Sequence, residues 1–150
     1  MLISGLLFII LGFLIGSIIF NNKIEFLKKI RKTDTYYFLQ EGVYKDKDIL
    51  NNNLSSLNNK VIELEEDEYH VYLGITKDID VVEKLINIYE NEGYKVFPTK
   101  KNFSSTAFSH NLDQFDLLIK ETDEEDKILT IENIVLANYN EIIKNSSKIF

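Results

Sequence analysis

The chain has 150 residues, 45% of them hydrophobic and 27% charged, which fits one small globular domain with appendages and argues against wholesale disorder. It has no cysteine, which excludes a disulfide framework, a thiolate metal site and a cysteine nucleophile. The net charge of −7 is uneven: residues 1–32 hold five Lys or Arg against one Glu, a net +4, which leaves −11 on the rest and argues against nucleic acid as a partner.

From Leu2 to Phe20 every residue is apolar, Gly or Ser. As a helix rising ~1.5 Å per residue this run spans about 28 Å, close to a bilayer's hydrocarbon core. No Lys or Arg precedes it and no small-x-small cleavage pattern closes it, so a retained single-pass anchor over residues 1–21 is expected rather than a signal peptide. Gly12 and Gly16 form a G-x-x-x-G step that would suit a homodimer of anchors. Residues 22–35 read as a basic juxtamembrane linker. Positive charges that follow the anchor would, by the positive-inside rule, keep the body in the cytoplasm.

The aromatic stretch Tyr36–Tyr44 predicts a strand. Asp46 or Asp48 can cap a helix running to about Asn59, with Ile49, Leu50, Leu54 and Leu57 as its stripe. Val61–Leu64 is a short strand, Glu65–Glu68 an acidic turn, and Tyr69–Ile75 a second strong strand. Thr76, Asp78 and Asp80 offer caps for a helix carrying Val82, Leu85, Ile86 and Tyr89, which stops at Gly93. Tyr94–Phe97 is the last strand, closed by Pro98. The predicted class is α+β, a ferredoxin-like β-α-β-β-α-β sheet with two helices on one face, preceded by the transmembrane helix.

Residues 102–150 form a C-terminal helical extension, with helices over Asn111 to about Lys120 and Glu124 to about Asn145. Leu112, Phe115, Leu118 and Ile119 stripe the first. Ile128, Ile131, Val135 and Ile142 stripe the second, widened by Leu136, Tyr139 and Ile143. The extension reads either as added core or as a partner-binding hairpin. No enzyme signature is present: His70 and His110 lie in different elements without metal-ligand spacing, and Ser104, Ser105 and Ser109 lack a nucleophile-elbow pattern. The acidic runs lack the regular ligand positions of a calcium loop. No catalytic residue, cofactor or metal site is therefore expected.

Phe38-Leu-Gln40-Glu-Gly42-Val-Tyr44, a helix, Tyr69-His-Val71-Tyr-Leu73-Gly74, a helix and Gly93-Tyr-Lys-Val-Phe97 together resemble the sporulation-related repeat (SPOR) family over residues 36–101. The resemblance implies a fold similar to RNA-recognition modules and a non-catalytic role: binding peptidoglycan glycan strands stripped of their peptides, in division or sporulation-related wall remodelling. Alternation along the strands would put Val71, Leu73 and Leu39 toward the helices, and Phe38, Gln40, Gly42, His70 and Tyr72 on an open face. Amides and imidazoles match the hydroxyls and acetamides of a glycan, and aromatic rings match its C–H faces. Gln40, His70 and Tyr72, then Phe38 and Gly42, are the expected glycan contacts. The expected setting is a bacterial cell membrane with the soluble domain outside it, and division proteins as further partners. The competing expectation, favoured by the charge flanking the anchor, is a cytoplasmic-facing scaffold that recruits a protein through the domain and its helical tail.

Overall fold

The computed structural model describes residues 34–57 and 59–146. The expected anchor with Gly12 and Gly16, and nearly all of the basic linker, lie outside the described residues. No helix among the described residues is long and apolar enough to cross a membrane. The described residues form an α+β protein, with a four-stranded antiparallel sheet and four helices among them.

Strand β1 (Asp34–Tyr44) is central and begins two residues earlier than expected. It is followed by α1 (Lys47–Asn53), β2 (Val61–Glu65), β3 (Glu68–Thr76), α2 (Ile79–Asn91), β4 (Phe97–Phe103), α3 (Thr106–Glu121) and α4 (Glu125–Ser146). The spatial order is β2-β3-β1-β4. The β2–β3 hairpin turns at Glu66 and Asp67, both with positive φ (50° and 66°), the handedness that matches the twist of a tight hairpin. Gly93, with φ of 90°, stops α2, since a left-handed residue after a helix favours the side chain that has no Cβ.

Caps place the helix starts. Asp46 accepts from the amide of Asp48 at 2.7 Å, but α1 ends at Asn53, well short of the expected Asn59. Of the candidate caps before α2, Asp78 is the one used, accepting from Asp80 N at 2.9 Å. Ser105 caps α3, which begins five residues before the expected Asn111 and carries His110 inside it rather than at its start. The expected last strand, Tyr94–Phe97, is displaced: β4 starts at Phe97 and runs through Pro98 to Phe103. Pro98 is admissible because β4 is an edge strand, paired only with β1.

Both faces of the sheet are covered. On one face Gly74 lies against Leu39 and Leu85 of α2. A Cβ at position 74 would come within 2.9 Å of Leu39 Cδ1, so the glycine lets strand and helix approach closely. Neighbouring Phe38 points to the opposite face, where Tyr139 of α4 meets its ring edge-on at 5.0 Å. Phe108 of α3 joins Tyr36 and Phe103 on that same face. The extension is therefore part of the core, contributing Leu112, Phe115, Ile119, Ile128, Val135 and Leu136 to it. With cover on both sides, every residue from Val71 to Thr76 is buried.

Candidate functional site

The sheet face expected to be open carries the candidate residues, and the register explains how they meet. In β1–β3 pairing Leu39 lies opposite Gly74 and Gln40 opposite Tyr72, so Leu73 has no partner. The next step, Gln40 to Gly42 opposite Val71, leaves out Glu41. Two β-bulges therefore break the alternation that the sequence implies. Residues directly opposite in an antiparallel pair share a face. Tyr72 thus shares a face with Gln40, Val43 with His70, and Phe97 with Gln40. His70 lies nearly parallel to Tyr72, ring centres 6.4 Å apart, which joins these pairs into one surface.

That surface divides in two. Its inner part is a closed aromatic cluster. Phe38 and Tyr72 meet edge-on at 5.1 Å, Tyr36 stacks on Phe103 at 4.0 Å, and Tyr139 caps the group. Phe38 and Tyr72 are fully buried, so the expectation that they face a ligand is corrected: α3 and α4 lie on the face that strand alternation alone leaves bare. Lys101 completes the cluster. Its ammonium sits 5.2 Å from the ring centre of Phe38 and 4.5 Å from that of Tyr72, and it pairs with Glu63 and Glu65. Glu63 also accepts from the Tyr139 hydroxyl. Burial alone would lower the Lys101 pKa, but the bonds to Glu63, Glu65 and Tyr72 outweigh it and hold it above the ordinary lysine value. The Lys101 bond pulls Glu65 below the usual carboxylate range.

The outer part stays accessible. Gln40 and His70 are half-buried, and Phe97 and Val43 beside them are 65% and 42% exposed. The hydroxyl of Thr99 donates to Gln40 Oε1 at 3.4 Å. Gly42 is corrected as a contact: the bulge at Glu41 sets it opposite Val71, on the other face from Gln40, and it lies under the ring of Tyr44, whose hydroxyl donates to Glu41 at 2.8 Å. The strip therefore offers an amide, an imidazole, a hydroxyl and an exposed ring. Phe97 and Thr99 are members that sequence reasoning missed. Their signal was the strand ladder itself, hidden because Pro98 read as the end of the strand.

Two polar groupings lie elsewhere. Ser109 donates to Asp34 and accepts from Lys77 Nζ at 2.7 Å, and Lys77 pairs with Asp113 at 2.5 Å. The group ties β1 to α3. A cleft of about 210 Å³ between the β3–α2 turn and α3 is lined by Lys77, Asp78, Asp113, Asp116, Leu117 and Lys120; Lys77 pairs with Asp113 and Lys120 with Asp78.

No family model matches the chain, and neither a curated protein nor a solved structure matches it.

Proposed function

We propose that this chain is a non-catalytic, membrane-anchored binding module with a ferredoxin-like domain, and that it takes a neutral glycan, peptidoglycan stripped of its peptides, on the strip formed by Gln40, His70, Thr99 and Phe97. The element order β-α-β-β-α-β and the strand order β2-β3-β1-β4 are those of the split βαβ plan. The SPOR-like motifs fall on β1, β3 and the approach to β4. The observation that carries the reading is an exposed aromatic, Phe97, beside an amide and an imidazole on one face. Such a strip suits a ligand of hydroxyls and C–H faces and tolerates the acidic body, which phosphates would not.

Losing one ring contact or one hydrogen bond is worth ~1 kcal/mol, or about fivefold in affinity. Gln40→Ala and Phe97→Ala should therefore each lower retention of the full-length chain on purified peptidoglycan about fivefold, with the melting temperature nearly unchanged. Retention equal to wild type in both variants would remove the strip as a glycan site.

Closure of the aromatic face narrows the surface left for a ligand, and this favours a second reading: a scaffold that recruits a protein from the cytoplasmic side of the membrane. Topology separates the two. Ser104 is exposed in the loop before α3, and the chain has no native cysteine. On the glycan reading, Ser104→Cys should react with an impermeant maleimide on intact cells. Reaction only after lysis would sink that reading and leave the scaffold.

A further inference from the structure

Strand β2 begins at Val61, opposite Tyr72, so among the described residues β3 from Leu73 to Thr76 has no strand on that side. Buried backbone groups there still need partners. Three side chains from three helices supply them. Tyr89 of α2 donates its hydroxyl to Leu73 O at 2.5 Å. Glu132 of α4 accepts from Ile75 N at 2.6 Å, and Asp116 of α3 accepts from the Thr76 hydroxyl at 2.6 Å and from Lys77 N at 3.0 Å.

Glu132 is the unusual member. It sits within the apolar stripe of α4 between Ile128 and Val135, with no exposed surface. One oxygen has a single backbone donor, and the other, Oε2, has no partner. The titratable groups facing it are Asp116 from α3, whose charge opposes a negative charge there, and Tyr89 from α2, which burial and the charge of Glu132 keep in its neutral form. A buried carboxylate with neither a cation nor a second donor is costly, whereas the protonated acid fits the site.

We propose that Glu132 is a proton-operated clamp: protonated, it holds α4 on the open edge of β3, and ionised, it loosens α4 from the aromatic face of the sheet. The clamp does not depend on what the protein binds. Burial, then the charge of Asp116, pushes Glu132 up to about 8 from an ordinary value of 4.5. A pKa raised on folding gives stability that is complete below the unfolded value and lost as pH rises through the folded one. The clamp therefore weakens from about pH 4.5 to about pH 8. Burial raises Asp116 to about 6, so it acts in the same direction but only in the lower part of that window. Between pH 6 and 8 Glu132 acts nearly alone.

The test is amide hydrogen exchange of the full-length chain in detergent micelles across pH 6–8, corrected for intrinsic exchange. Linkage with these values predicts that the opening equilibrium of α4 amides rises roughly fiftyfold over that range, ahead of β1 amides around Phe38. Glu132→Gln, which keeps the acceptor and cannot ionise, should flatten the rise. A flat wild-type profile, an equal rise in Glu132→Gln, or β1 opening in step with α4 would overturn the proposal. Should the variant fail to fold, carboxyl carbon NMR of the wild-type chain decides: a Glu132 midpoint well above the carboxylate range supports the clamp, and a midpoint near 4.5 overturns it.

Discussion

Replacing Tyr139 with Ala should destabilise the protein by about 3–5 kcal/mol, the cost of truncating a large aromatic in a packed core, and lower its melting temperature by roughly 10–20 °C. The size follows from position. Tyr139 touches Phe38 at 5.0 Å, Phe103 at 5.5 Å and Phe108 at 5.7 Å, so its ring joins β1, β4 and α3 to α4. Its hydroxyl also donates to Glu63. Tyr139→Phe separates the two contributions. It keeps the ring and removes only a bond to a charged acceptor, so about 1.5–3 kcal/mol is expected. The remainder up to the Ala value belongs to packing. Thermal unfolding followed by circular dichroism reads both. A cost under ~1 kcal/mol for Tyr139→Ala would mean that α4 does not lie on the sheet, and that Phe38 and Tyr72 are open to a ligand after all.

That experiment bears on the point where strand alternation carried the sequence reading only part of the way. Phe38, Gln40, His70 and Tyr72 do share a face, as period-two alternation implies. What covers that face is tertiary. The stripe of Ile128, Ile131, Val135, Leu136 and Tyr139 was visible as an amphipathic helix, but a stripe does not name the surface it docks on. The sheet's second apolar side was equally visible: residues 71–76 contain no charged side chain, a pattern of strands covered on both faces. Glu132 within the stripe was a legible irregularity too, since a carboxylate among buried positions needs a partner or a proton.

Local signals failed where two residues competed for one role. Pro98 was read as a strand end because proline lacks the amide that an interior strand needs. On the outer strand, opposite Leu39, that amide can point away from the ladder. Ser104, Ser105 and Thr106 are all plausible caps, and Phe108, one turn before Leu112, extends the apolar stripe without choosing among them. The bond from Phe108 N to Ser105 Oγ does so in the folded chain. The bulges at Leu73 and Glu41 each sit beside a glycine, Gly74 and Gly42, which is the mark a strand sequence gives of such a break.

Lys101 is where the second large effect is expected. Its ammonium is shared by Glu63 and Glu65 and lies over two rings, and its side chain keeps 20% exposure against 12% for Glu63. Replacing it with Met keeps most of the aliphatic bulk but leaves Glu63 as a nearly buried carboxylate without its cation. Breaking a buried pair in this way costs about 3–5 kcal/mol, and residual water access brings the expectation to about 2–3 kcal/mol. Pairing Lys101→Met with Glu63→Gln should recover much of that loss, because the uncompensated charge disappears with its partner. A double mutant as unstable as the sum of the singles would mean the groups are not coupled. The pH signs differ from those at Glu132. The raised Lys101 pKa gives stability that is complete below 10.5 and lost at higher pH, and the lowered Glu65 pKa gives stability present above 4.5 and lost as pH falls. The cluster therefore holds constant between pH 5 and 10 while Glu132 does not. Any stability change of the wild-type protein between pH 6 and 8 that survives in Lys101→Met must come from elsewhere, and Glu132 is the buried group placed to supply it.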